Sequence, residues 1–362
     1  MSNYGILKKL TKSTGALLVA GMLLTHPVAF ADNTANPDKV KQLFTESVEH
    51  MRAREYDKAL SCLDKAIELD STKAALFGQR GTIYLNQQRF EDAIVDFTKA
   101  IELAPNHAQA YGLRALAYGS TGETIDAMRD LTKAIELEPA NPVFYYRRAM
   151  TYEMLKGDDY ALEDYNKAIS LKNDDVMYFY KRCMLFMRQK KHAEAMGDIN
   201  TALGFEPSNK TFLSIRAFLY TQSHDTEHAI ADYEQVVKYD PADYGALDNL
   251  GVLYADKKDF ATANKYFDMS LAVNDRHPEV YNGKGYIEFL QGNNDAAIAL
   301  YQKALECNNE FSDAYYNLAQ CYEVAKDDAK LLEAYEKFLR YAAYNDYDRV
   351  EQAQKRVAEL SR

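Results

Sequence analysis

Five arginines recur at a fixed interval of 34 residues: Arg80, Arg114, Arg148, Arg182 and Arg216. Five aspartates keep step with them, each 16 residues further on: Asp96, Asp130, Asp164, Asp198 and Asp232. A row of guanidinium groups could grip an anionic ligand. A row of guanidinium groups that each face a carboxylate would instead tie chain segments together, because the planar fork of arginine meets a carboxylate with two parallel hydrogen bonds. The co-occurrence favours the second chemistry. At the equivalent places elsewhere, the pair is replaced as a pair: Glu46 with Cys62, Leu250 with Tyr266, Lys284 with Leu300, and Leu318 with Ala334. An arginine near an interior needs such a carboxylate, since an unpaired buried charge is strongly destabilising. The ladder is read as scaffold.

Other chemistry-bearing residues form no constellation. His224 and His228 stand four apart, but across a turn and a helix start that Thr226 is expected to cap, and no third metal ligand is near. Cys62, Cys183, Cys307 and Cys321 lie far apart, outside any C-x-x-C spacing, and read as small apolar fillers. There is no nucleophile elbow, phosphate-binding glycine loop or HExxH helix, so the expectation is no catalysis, no metal and no cofactor. Asn209-Lys-Thr211 is a glycosylation sequon, of consequence only in a eukaryotic secretory route.

The 34-residue interval belongs to the whole chain. From Val40 to Asn345 it divides into nine blocks without insertion or deletion. Numbered within a block, place 4 is apolar or aromatic and place 8 is small, as in Gly81, Ala115, Ala149 and Gly285. Place 11 is mostly aromatic, place 20 is alanine from Ala59 to Ala297, and place 24 is apolar throughout. Places 4, 8 and 11 share one face of a first helix; places 20, 24 and 27 share one face of a second. Pro105, Pro139, Pro207 and Pro241 end second helices, because proline has no N–H and disfavours helix before it. One hairpin cannot bury its own face, so neighbours must stack into a continuous core.

The spacing aromatic-x₃-small-x₂-Tyr … Ala-x₃-Phe-x₂-Ala … Pro resembles the tetratricopeptide repeat over residues 40–345. The resemblance implies an all-α, right-handed superhelical solenoid of nine antiparallel helix pairs, whose first helices line a concave groove. Residues 346–362 suit a capping helix, and residues 32–39 a polar, flexible segment. The groove would be lined by places 2, 5, 6, 9, 12 and 13. In blocks three to six these give Leu113, Leu116, Tyr146, Arg147, Met150, Met154, Met177, Tyr180, Lys181, Met184, Met187, Arg188, Ile215 and Phe218. Methionine adapts to varied side chains. With Arg147, Lys181 and Arg188 beside it, the surface suits an extended or helical peptide with apolar anchors and some acidic character. Met150 and Met184 fit packing between first helices equally well. Asp248, Asn249, Glu279, Asn282 and Asn317 make the later blocks polar and acidic. The family's lysine–asparagine clamp for a terminal carboxylate is not reproduced.

Residues 1–31 read as a leader rather than fold: Lys8, Lys9 and Lys12, the short apolar run Ala16 to Leu24, then Ala29-x-Ala31. Its apolar run is too short to span a bilayer, which takes about 20 residues. Export to a periplasm or beyond is therefore expected, with no membrane insertion once the leader is removed. The net charge of −11 argues against nucleic acid as a partner, since phosphate neutralisation needs clustered cations. What remains is a non-enzymatic scaffold that binds another protein or a peptide segment. A self-associating structural module and a carbohydrate-binding solenoid are the alternatives.

Overall fold

The computed structural model describes residues 36–343 and 346–361. The leader expected over 1–31, and residues 32–35 of the segment behind it, lie outside the described residues. The array expected over 40–345 divides into two compact units, which part between Phe205 and Glu206. Nineteen α-helices, and no strand among the described residues, build them.

The first unit holds five hairpins: α1 (Pro37–Arg52) with α2 (Tyr56–Leu69), α3 (Ala74–Asn86) with α4 (Phe90–Leu103), α5 (Ala108–Thr121) with α6 (Thr124–Leu137), α7 (Pro142–Met154) with α8 (Asp158–Leu171), and α9 (Val176–Arg188) with α10 (His192–Phe205). The second holds four: α11 (Lys210–Gln222) with α12 (Thr226–Tyr239), α13 (Tyr244–Asp256) with α14 (Phe260–Val273), α15 (Pro278–Leu290) with α16 (Asn294–Cys307), and α17 (Ser312–Ala325) with α18 (Asp328–Tyr341), followed by α19 (Tyr347–Leu360). Within each unit every hairpin packs on the next, which is an all-α solenoid architecture.

The repeat chemistry explains the geometry. Place 24 supplies a large side chain sealed between the helices: Leu63, Phe97, Tyr165, Tyr233, Phe267, Tyr301 and Tyr335 are fully buried. Place 8 must be small because that side chain lies across it. A Cβ on Gly285 would sit 2.7 Å from Cε1 of Tyr301. Each turn between paired helices is closed at place 15 by a left-handed residue, from Arg54 and Gln88 through Gly122 and Lys156 to Gly292 and Lys326.

One boundary differs from expectation. Helix α1 starts at Pro37, with the Asn36 side chain accepting from the Lys39 amide, so the last three residues of the supposedly flexible 32–39 segment are helical. Proline at the first helical position and an asparagine cap favour the earlier start. At the other end α19 lays Ala353, Val350, Val357 and Leu360 on the Tyr335–Phe338 core. It turns Glu351, Gln352, Lys355 and Glu359 outward, which suits a cap.

Candidate interaction surface

The arginine ladder is built into the hairpins. In all five repeats Nε and Nη2 donate to the two oxygens of the partnered aspartate. For Arg148 and Asp164 the distances are 2.8 and 2.9 Å; for Arg80 and Asp96 both are 2.8 Å. Arg114–Asp130, Arg182–Asp198 and Arg216–Asp232 share the arrangement. The five aspartates are buried. The bond to aspartate raises the pKa of Arg80, Arg148 and Arg216 and keeps each guanidinium charged. Aromatic rings flank the cation: Cζ of Arg148 lies 5.9 Å from the ring centres of both Tyr145 and Tyr152.

The third guanidinium nitrogen reaches a residue that the sequence reading missed. Nη1 of Arg80 donates to Asp64 at 2.7 Å, Arg114 to Thr98 at 3.0 Å, Arg148 to Thr132 at 3.5 Å and Arg182 to Asn166 at 2.6 Å. All four acceptors sit at place 25 of the preceding repeat, so each of these four arginines joins its own hairpin to the one before. The signal was present as an oxygen-bearing side chain at place 25 before each of the four. Lys284, where the pair is lost, still reaches back to place 25 at Asp268.

The proposed groove residues separate into two sets. Leu113, Tyr180, Met187, Ile215 and Phe218 are buried, which corrects their assignment to an open groove wall. The cause at place 6 is visible at Leu113, which joins Leu85, Ala93 and Phe97 of the preceding repeat in one core cluster. On α5 and α7, place 5 is the seat for a ring at place 3 of the next repeat. Phe144 fills the space above Gly112, where a Cβ would lie 2.5 Å from Cε1, and Tyr178 stacks 4.9 Å from Tyr146. Tyr146 is consequently half-buried, and burial pushes its phenol pKa up. Arg147 donates to the Gly112 carbonyl at 2.7 Å, and desolvation holds its pKa down at about 10. Arg188 is exposed but spends its fork on Asp158, at 2.8 and 3.2 Å, and on Glu153 at 2.9 Å. Neither arginine stands as the open cation that the sequence suggested.

The second set is accessible. Met154 is 58% exposed and Met177 45%. Leu116, Met150 and Met184, all at place 9, are half-buried, and Lys181 is half-exposed. Places 2, 9 and 13 fall on one face of a helix, so α5, α7 and α9 present one strip of methionine and leucine. Met150 also packs on the core around Tyr165. A separate shallow depression of about 430 Å³ on α6 is lined by Ile125, Met128, Thr132 and Leu155. In the second unit the polar face is internally bonded: Asn317 Nδ2 donates to Asn282 at 2.9 Å and Asn249 Nδ2 to the Gly245 carbonyl at 2.7 Å.

The remaining candidates are structural. His224 occupies a left-handed turn, while His228 bonds Asp225 at 2.8 Å and stacks on Tyr220. Asp225, rather than Thr226, caps that helix, its carboxylate accepting from the His228 amide. Asn209 caps α11. Among the described residues no three His, Cys, Asp or Glu side chains are placed to hold a metal ion, and no helix is long and apolar enough to cross a membrane.

Comparison with known proteins agrees with this architecture. Residues 74–107 and 108–141, which are the second and third blocks, match the family described as tetratricopeptide repeat, as do residues 219–272; residues 285–323 match its TPR repeat description. Over 72 residues the chain is 38% identical to human tetratricopeptide repeat protein 13, covering 20% of this chain and 8% of that protein. The C-terminal part of a TPR repeat-containing protein from Cytophaga hutchinsonii is similar in structure, with a TM-score of 0.58 at 15% identity over 66% of this chain and 98% of that one. A tetratricopeptide repeat protein from Parabacteroides merdae gives 0.47 at 18% identity, over 78% and 98%.

Proposed function

From the premise that this chain is a multi-repeat tetratricopeptide protein, whose repeats make a non-catalytic scaffold for contacts between proteins, we propose that it captures a peptide segment along the first-helix strip of its N-terminal unit. One observation carries the reading: Met154 and Met177 are exposed on the same helix face as Leu116, Met150 and Met184. Water-facing methionines contribute apolar area that yields to different shapes, which suits a ligand segment with apolar anchors. Lys181 on α9 would meet an acidic residue of that segment. With Arg147 and Arg188 engaged inside the fold, the acidic requirement reduces to about one contact.

The proposal includes export, which rests on the leader-like residues 1–31. It assigns no catalytic role to this chain alone, because the loops between the paired helices are short and leave little room to build a site. The polar outer face of α19 disfavours self-association through that end.

The test is site-specific photocrosslinking. A photoreactive side chain replaces Met154 or Met177, and another replaces Gln352 on α19 as control. The expected result is an adduct from both methionine positions that maps to one contiguous partner segment, and none from Gln352. Adducts from Gln352 alone would move the surface elsewhere.

A further inference from the structure

The junction between the seventh and eighth repeats departs from the repeat chemistry at three points at once. Place 5 holds Asp248, where the other blocks carry glycine, serine, asparagine or an aromatic ring. Place 27 holds Ser270, where six blocks have alanine, and place 34 holds His277. Ser270 and His277 are buried, His277 being 5% exposed. The three residues meet in space. Ser270 Oγ donates to one oxygen of Asp248 at 2.5 Å, and His277 Nε2 lies 3.3 Å from the other. On its far side His277 Nδ1 lies 3.4 Å from Glu279. The ring meets Tyr244 edge-on, with centres 5.4 Å apart.

We propose that His277 is a proton-operated clasp joining α13, α14 and α15. A neutral imidazole has one N–H and no charge, so it can serve at most one of the two carboxylates, and Nδ1 meets Glu279 at ion-pair distance without hydrogen-bond geometry. Uptake of a proton gives both nitrogens an N–H and places one positive charge between two negative ones. The charged or titratable groups around the ring are Asp248 and Tyr244 from α13 and Glu279 from α15, with Asp275 and Arg276 preceding it in the chain. From α14 comes the uncharged Ser270. The internal control is His107, which holds the same place in the second block. There place 5 is Gly78 and place 27 is Ala100, so no carboxylate replaces Asp248.

The sign follows from linkage. A histidine in the unfolded chain titrates at about 6.5. Burial of the ring disfavours its charge, and in the proposed clasp the two flanking carboxylates outweigh that cost, so its stabilisation is complete below that pH and is lost as pH rises through the native titration point. The junction is therefore tightest in mild acid and loosens toward pH 8.

The test uses the full chain. The His277 ring is followed by NMR between about pH 5 and 8.5, and urea midpoints are taken at about pH 5.5 and 8 for wild type, Glu279→Gln, His277→Asn and His107→Asn. The expected result is a His277 titration above 6.5 and a wild-type midpoint that falls toward pH 8. Glu279→Gln, at an exposed side chain, roughly halves that fall; His277→Asn abolishes it and His107→Asn leaves it. Should His277→Asn fail to fold, the ring titration and Glu279→Gln still decide. A ring titrating at or below 6.5, or a Glu279→Gln response equal to wild type, overturns the clasp.

Discussion

Removing one member of an Arg–Asp pair should cost far more than removing both. In the fourth repeat Asp164 is buried and Arg148 keeps 19% of its side-chain surface open to water. Taking one partner from a fully buried pair costs about 3–5 kcal/mol. Partial exposure lets water solvate the orphaned guanidinium, and Thr132 stands 3.5 Å away as a poor substitute acceptor. Asp164→Ala is therefore expected to lose roughly 2 kcal/mol, and Arg148→Met a similar amount, because it strands a carboxylate. The double variant Arg148→Met/Asp164→Leu strands nothing and should lose only about 1 kcal/mol, a coupling of roughly 3 kcal/mol. The sequence already contains an apolar pair at these places, since Leu318 and Ala334 occupy them in the ninth repeat. The assay is urea denaturation of the four proteins followed by circular dichroism, fitted with a nearest-neighbour repeat scheme. Urea is chosen because guanidinium salt would screen the interaction under test. Single variants costing under about 0.5 kcal/mol, with an additive double, would refute the pairing as a scaffold element. An unchanged midpoint for Asp164→Ala together with lost partner capture would restore the ladder as a binding site.

Two further outcomes test the packing. Gly112→Ala should lose about 1–3 kcal/mol in the same urea assay, since its Cβ would press on the Phe144 ring, a sealed neighbour. Gly119→Ala on the same helix meets nothing within 4 Å and should gain about 0.5–1 kcal/mol from helix propensity. A loss at both positions would place the effect in the helix rather than in the contact. Burial pushes the thiols of Cys183 and Cys321 up to about 12, so in the native protein at pH 8 neither should react with a thiol-specific chromophore. Titration in denaturant should then release both; fast native labelling of Cys183 would show that α9 opens.

The repeat made most of the fold legible, because one hairpin is a local solution used nine times. Spacing alone placed Arg148 opposite Asp164, since an antiparallel hairpin with a short turn fixes which places face each other. What spacing could not show was the contact between successive hairpins. Tyr146 and Leu113 have the same helical phase as groove residues, and only the approach of the next or preceding repeat decides how much water they see. Arg188 misled for a related reason. Its partners Glu153 and Asp158 lie 35 and 30 residues away, in another hairpin, and a charge on a helix reads as exposed until that hairpin is in place. The division between Phe205 and Glu206 leaves no mark in an unbroken 34-residue period.

In the proposed binding mode the exposed methionine strip, and not the outer helices, receives the partner. That mode is tested most directly by comparing Met154→Glu/Met177→Glu with Ile125→Glu, whose side chain is 70% exposed on α6. All three positions face water, so all the proteins should fold with unchanged circular dichroism. Binding of the crosslink-mapped segment, measured by calorimetry, should drop at least about tenfold for the methionine pair, corresponding to about 1.4 kcal/mol, and stay within twofold for Ile125→Glu. Equal binding by wild type and the methionine variant, with loss confined to Ile125→Glu, would contradict the account and put the partner on the outer face.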